Sequence, residues 1–233
     1  MKLTVIVPTY READNIRELA ERVFAAVDSI ALDTELLIVD DDSSDGTEEL
    51  CRELAARCSL RLITRRGDRG LATAVLLGIR QSVGDLVIVM DADLSHPPES
   101  IPALVRHLMA GADFVVGSRY VVGGSTAAEW GLGRWINSKV ATLLARGLTT
   151  INDPMAGYFG FPRRILLGRQ QFSPVGYKIG LENLTKARCQ NIVEIPIAFA
   201  DRRRGQSKLT LREQVLYLRH LRRLYRFKYP QAA

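Results

Sequence analysis

Three short runs, Leu3-Thr4-Val5-Ile6-Val7, Glu35-Leu36-Leu37-Ile38-Val39 and Leu86-Val87-Ile88-Val89-Met90, are nearly continuous in apolar residues, and each runs straight into a polar cluster. A strand that is apolar at successive positions has no wet face, so it belongs in a sheet covered on both sides. Helical segments separate the runs at residues 13–28 and 46–57, the first with Ile16, Leu19, Ala20, Val23, Phe24 and Val27 at helical spacing. Such alternation predicts an α/β fold, with a mainly parallel sheet and helices on both faces. Ligands of these sheets sit outside the carboxyl ends of the strands. The polar clusters Pro8-Thr9-Tyr10-Arg11-Glu12, Asp40-Asp41-Asp42 and Asp91-Ala92-Asp93 all fall there.

Asp91 and Asp93 carry the most chemistry. Residues i and i+2 of an extended chain point to one side, and two ionised carboxylates held together repel unless a cation or a shared proton relieves them. Hard divalent ions such as Mg²⁺ or Mn²⁺ take such oxygen ligands and commonly share them with substrate phosphates. The first strand does not lead into G-x-G-x-x-G, and no G-x-x-x-x-G-K-[ST] occurs, so no glycine cradle is available for phosphates. Downstream, Phe114 to Tyr120 reads as a further strand presenting Arg119. The glycine-rich stretch from Val121 to Arg134 reads as a lid, Asn152 to Tyr158 as a tight turn, and Asp201 to Lys208 as a basic loop.

The net charge of +6 is concentrated in residues 202–233, where ten basic side chains face a single acid, Glu213. Arg212, Arg219, Arg222, Arg223 and Arg226 share one arc of a helix, with Leu218, Leu221, Leu224 and Tyr225 broadly opposite. A basic amphipathic helix suits an anionic membrane surface. The competing reading packs its apolar side on the domain and leaves the basic face in water. Nucleic acid is not expected, because aromatic stacking platforms and a nucleic-acid-binding motif are missing. No window reaches 18 uninterrupted apolar residues, and the N-terminus enters a strand at once, so neither a membrane span nor a signal peptide is expected. With three cysteines and no C-x-x-C, the thiols are expected to stay reduced, in keeping with a cytoplasmic location. His107 and His220 read as surface or half-buried residues.

Six blocks in order, VPTYREADNI, IVDDDSSDGT, DADLSHPPE, GSRY, DPMAGYFGF and RRRGQSKL, together form a family signature. The chain resembles the inverting glycosyltransferases of family 2, of the dolichol- or polyprenyl-phosphate mannose synthase type. The resemblance implies a GT-A catalytic domain over residues 1–208, followed by the basic helix at 209–233. It implies a nucleotide-sugar donor, GDP-mannose, with Mg²⁺ or Mn²⁺ as cofactor. The acceptor would be a polyprenyl or dolichyl phosphate, reached by an enzyme peripheral on the cytoplasmic face of a membrane.

Carried over by position, the resemblance gives Pro8, Tyr10, Glu12, Val39 and Asp41 to the guanosine. Asp91, Ala92 and Asp93 flank the diphosphate and metal, with Ser95 joining through its hydroxyl or a water. Arg119 and Arg134 receive the acceptor phosphate, and Arg202 and Lys208 lie near the donor diphosphate. A phosphate acceptor is already anionic, so no general base is required, which agrees with the absence of a convincing histidine base. The alternative keeps the fold and changes the partners to UDP-glucose or another donor, with a lipid-phosphate or sugar acceptor. A hydroxyl acceptor would need Asp93 or Asp153 as base. A silent membrane-binding scaffold has no need of two adjacent carboxylates.

Overall fold

The computed structural model describes residues 1–67, 69–126, 132–165, 172, 179–200 and 211–230, with the backbone alone for 132–138 and 211–213. The first half alternates as expected: β1 (Lys2–Thr9), α1 (Ala13–Val27), β2 (Asp33–Asp40), α2 (Thr47–Ala55), β3 (Leu60–Thr64), α3 (Leu71–Gln81) and β4 (Leu86–Val89). The second half runs α4 (Ile101–Met109), β5 (Phe114–Ser118), β6 (Ser125–Thr126), α5 (Leu132–Ala145), β7 (Phe159–Pro162), α6 (Ile179–Ala187), β8 (Ile192–Pro196), β9 (Ala198–Phe199) and α7 (Leu211–Lys228).

Seven strands form one sheet in the order β3-β2-β1-β4-β7-β5-β8, and β6 pairs with β9 in a small parallel ribbon. All pairings in the main sheet are parallel except those of β7, which runs antiparallel to both β4 and β5. This reversed strand follows directly on the Asn152–Tyr158 turn, where the sequence reading placed no strand. Phe159-Gly160-Phe161-Pro162 is short and punctuated, and what makes it a strand is tertiary: three near-parallel rings, Phe114, Phe159 and Phe161, stack 5.3–6.2 Å apart. Gly160 permits the close approach, since a Cβ there would stand 3.1 Å from Ile88 Cγ1 and from the Val87 carbonyl oxygen.

Side-chain alternation divides the core by sheet face. Leu3, Val5 and Val7 of β1, Leu36 and Ile38 of β2, and Leu86 and Ile88 of β4 pack with α1, α2 and α4. Ile6, Leu37, Val39, Val87 and Val89 face the other way, onto α3 and α6. Both faces of each strand are therefore dry, as the continuous apolar runs demanded.

The basic helix exists as α7, and its inner side is packed rather than exposed. Leu221 and Leu224 are buried with Ala145, Leu148 and Leu181, and the Tyr217 and Tyr225 hydroxyls donate to the Ala141 and Leu144 carbonyls at 2.7 and 2.9 Å. Leu218, grouped with the apolar side by its helical angle, is instead 53% exposed. It lies at the edge of the arc that α5 and α6 can cover. His220, expected near the surface, is buried with its Nε2 3.5 Å from Glu182.

The tightest helix-on-sheet contact is at Gly78 of α3, where a Cβ would come within 2.5 Å of Ile6 Cγ2 and 3.2 Å of Val39 Cγ2. Gly78→Ala is expected to destabilise the fold by about 1–3 kcal/mol through overpacking, despite the better helix propensity of alanine. Urea denaturation of the two proteins measures it.

Candidate active site

Register aligns the strand ends. Thr9 lies opposite Asp40 and Ile6 opposite Val89, so the chains leaving β1, β2 and β4 emerge side by side. At the exit of β1 and β2 the loops are cross-tied. Asp40 accepts from the Thr9 hydroxyl at 2.9 Å, the Ser43 hydroxyl at 2.7 Å and the Ser43 amide at 2.7 Å. Asp45 accepts from the Ala13 amide at 3.1 Å and the Thr47 hydroxyl at 2.7 Å, tying the starts of α1 and α2 together. Arg11 and Asp42 take left-handed backbone conformations, φ 62° and 56°, in these turns. Non-glycine residues hold such angles only where their surroundings fix them, most often at functional sites.

Of the residues assigned to a guanosine, Pro8 and Val39 are buried and pair in register, Val39 with its side chain in the core, so both present backbone. Tyr10 is 36% exposed, and Glu12 accepts from Asn15 Nδ2 at 2.7 Å. Asp41 is buried: its Oδ2 accepts from the Gly70 amide at 2.7 Å, and its Oδ1 lies 3.0 Å from the Arg65 guanidinium. The segment that meets it, Arg65 to Gly70, had no place in the sequence reading. Its signal was available, because a basic glycine-containing loop between an apolar run and a helix repeats the pattern of the other strand ends.

At the end of β4 the pair of acids is held by a turn, not by an extended strand. β4 stops at Val89, and the chain bends through 91–94 with Leu94 at φ 60°. Ala92 is buried in the core cluster. Asp93 Oδ1 accepts from the Ser95 amide at 3.1 Å and the Ser95 hydroxyl at 2.5 Å. The Asp91 side chain is 29% exposed, and its backbone amide donates to His96 Nδ1 at 2.9 Å. His96 stacks on Tyr158 at 5.1 Å and meets the edge of Phe199 at 5.5 Å. Burial lowers its pKa against the pull of Asp91 and Asp93, so the ring is neutral, and with Nδ1 accepting, its proton is on Nε2.

Gly157 leaves the space above this turn open. A Cβ there would stand 3.2 Å from His96 Cε1 and 3.5 and 3.6 Å from the two Asp91 carboxylate oxygens. Among the described residues no third acid, histidine or cysteine joins Asp91 and Asp93. Two carboxylates in one turn, with space open beside Asp91, suit a hard divalent ion that completes its shell with phosphate and water.

Arg119 leaves β5 and meets the 152–158 turn. Its Nε and one terminal nitrogen each donate to an Asp153 oxygen at 2.8 Å, and its backbone amide donates to the same carboxylate at 3.1 Å. Asp153 is fully buried, and its own amide donates to Glu194 of β8 at 3.0 Å. Burial alone would lower the Arg119 pKa, but the hydrogen bonds and charge of Asp153 outweigh it and raise the pKa above the usual value. Of the lid, Ser125–Thr126 is the strand β6 on β9; residues 127–131 lie outside the described residues. So do Arg202, Lys208 and the side chain of Arg134, which sits in α5. Asp153→Asn leaves the buried guanidinium without its counter-charge and is expected to cost about 3–5 kcal/mol, read from urea denaturation.

The family model for Glycosyl transferase family 2 matches residues 4–167. The chain is 39% identical over 98% of its length to the dolichol-phosphate mannosyltransferase of Pyrococcus furiosus, of which it spans 65%. It is 41% identical over 97% of its length to that of Mycosarcoma maydis, spanning 80% of it, and 39% identical over 98% to that of Saccharomyces cerevisiae, spanning 89%. Among solved structures, glucosyl-3-phosphoglycerate synthase from Mycobacterium tuberculosis, in complex with Mn²⁺, UDP and phosphoglyceric acid, superposes with a TM-score of 0.68 at 20% identity, over 97% of this chain and 78% of that one. That likeness shows the GT-A fold. With the acids, arginine and glycine turn gathered at one end of a sheet of this topology, the matches establish that the chain belongs to glycosyltransferase family 2.

Proposed function

We propose that this glycosyltransferase moves mannose from GDP-mannose to a polyprenyl phosphate with inversion, giving polyprenyl-phosphate β-mannose and GDP. The observation that carries this reading is the identity of about two residues in five, along nearly the whole chain, with three dolichol-phosphate mannosyltransferases. Residues 1–208 carry the transfer, and the segment 209–233, which holds α7, contacts the membrane.

An Mg²⁺ or Mn²⁺ bound at Asp91 and Asp93 would neutralise the donor diphosphate. Ser95 acts on that pair through its two hydrogen bonds to Asp93. The remaining steps belong to the chain. Pro8, Tyr10, Glu12, Val39 and Asp41 line the guanosine end, and Ala92 presents backbone beside the diphosphate. Arg119, with Arg134, orients the acceptor phosphate, a task suited to a guanidinium whose geometry is fixed by Asp153. A phosphate oxygen forms the new bond to the anomeric carbon as the bond to the GDP oxygen breaks, and the electron pair departs on GDP, which Arg202 and Lys208 steady. The arrangement also favours a phosphate over a hydroxyl acceptor. Asp153, one candidate base, is ion-paired to Arg119, and Asp93 is bonded to Ser95.

The membrane reading has support from the outer surface of α5 and α7. Leu143 is 70% and Leu218 53% exposed, Val140, Leu144 and Val215 are exposed beside the same helix seam, and Arg219, Arg222, Arg223 and Arg226 are exposed along α7. Among the described residues no helix is long and apolar enough to cross a membrane. An apolar patch rimmed with arginine suits the headgroup layer, and an acceptor embedded in lipid supports a peripheral position, which this reading puts on the cytoplasmic face.

Mannose transfer from radiolabelled GDP-mannose to a polyprenyl phosphate, with and without Mn²⁺, tests the activity. Metal-dependent label in the lipid phase is expected, and transfer from UDP-glucose alone would reject the donor. Asp93→Ala should lower turnover by about a hundredfold or more, and Gly157→Ala by roughly tenfold or more, because the added methyl presses on His96 and fills the space beside Asp91, with unchanged thermal melting in the latter. Leu143→Glu combined with Leu218→Glu should weaken sedimentation with anionic vesicles by more than about tenfold. Equal binding by the double variant would remove this surface from the membrane contact.

A further inference from the structure

Arg69 stands at the far end of the site from the metal-binding acids. The strand order β3-β2-β1-β4 puts Asp91 and Asp93 at one end of a row of loops and the β3–α3 loop at the other. Two strand spacings separate the ends of β4 and β2, about 10 Å, which is the span between a nucleotide's diphosphate and its base. A diphosphate at Asp91 and Asp93 therefore sends its base toward Tyr10, Asp41 and the 65–70 loop.

The groups found there differ in what they can still bind. Asp41 is buried, with its oxygens against the Gly70 amide and Arg65. Arg69 is exposed, and among the described residues its guanidinium makes one hydrogen bond, 3.0 Å to the Tyr10 hydroxyl. Its central carbon lies 4.8 Å from the Tyr10 ring centroid, a cation–π distance. A guanidinium has five N–H donors in a rigid fork. The backbone beneath it is fixed as well: Gly70 holds φ 148°, an angle available to glycine, while its amide is bonded to Asp41. The fork is thus held in place before any ligand arrives.

We propose that Arg69 reads the base of the donor nucleotide, directing two N–H groups at the O6 and N7 edge of guanine. The inference rests on the GDP-sugar reading above and names a residue that sets its selectivity. Guanine offers two adjacent acceptors matched to the arginine fork, whereas uracil presents a carbonyl with an N–H or C–H on either side, which the second N–H cannot use. Tyr10 then serves as the platform that aims the fork.

Calorimetric titration of GDP, 7-deaza-GDP and UDP in the presence of Mn²⁺, on the wild type and on Arg69→Ala and Arg69→Lys, decides the matter, with thermal melting as the control for folding. The wild type should prefer GDP to UDP. Arg69→Ala should weaken GDP by roughly five- to a hundredfold, leave UDP within about twofold, and bind GDP and 7-deaza-GDP alike, although the wild type distinguishes them. Arg69→Lys keeps the charge without the fork and should behave like the alanine variant. Equal weakening of GDP and UDP, or an undiminished preference for GDP over 7-deaza-GDP in Arg69→Ala, overturns the assignment of Arg69 alone. A wild type that binds UDP as tightly as GDP instead overturns the donor reading beneath it.

Discussion

The pairing of Arg119 with Asp153 is the constraint around which the second half of the molecule is arranged. A fully buried carboxylate is tolerable only with a counter-charge and satisfied oxygens, and Asp153 has three N–H groups of Arg119 on its two oxygens. Glu194 of β8 fixes the same turn from the other side, taking the Asn152 and Asp153 amides at 2.7 and 3.0 Å. Once 152 and 153 are pinned, the residues that follow have little freedom. Met155 enters the cluster beneath α6 and α7, Gly157 arrives above Asp91, and Tyr158 lies on His96 with its hydroxyl donating to the Pro97 carbonyl at 3.1 Å.

His96 connects that turn to the acids. Its ring is held in place: burial lowers its pKa, two aromatic rings flank it, and its Nδ1 accepts from the Asp91 amide. The backbone of Asp91 is thereby set by a side chain five residues later, and the side chain of Asp93 by a serine two residues later. Neither carboxylate depends on the extended geometry that a strand would impose.

Much of this was legible in the sequence where the information is local. The apolar runs predicted β1, β2, β4 and β5, and the register gathers the polar residues at the ends of β1, β2 and β4 on one side of the sheet. What escaped was set by distant partners. β7 becomes a strand because two strands need a neighbour between them, and its own four residues, too short and punctuated by Gly160 and Pro162, read as part of a loop. Leu218 is exposed because α5 and α6 are too narrow to cover the whole apolar arc of α7, a fact of packing rather than of helical angle. Asp153 reads in the sequence as a candidate base within a turn, because its ion pair is made with Arg119, 34 residues earlier. The 65–70 loop was overlooked because arginine and glycine read as punctuation when the acid they bind is 29 residues away.

The reversed strand has a bearing on how the protein is made. β1 to β4 pair among themselves using the first ninety or so residues, but the other edge of β4 stays open until Phe159–Pro162 is available to cover it. Pairing across so long a loop is slow relative to local contacts. During synthesis the β1–β4 half can therefore form early and wait with a bare strand edge. The turn bearing Asp153 and Gly157 is delivered on the same segment as the closing strand, so the carboxylates acquire their surroundings only as that edge is sealed. A chain halted short of β7 would hold the loops at the ends of β1, β2 and β4 without the turn bearing Asp153 and Gly157, exposing a strand edge that invites pairing with other chains.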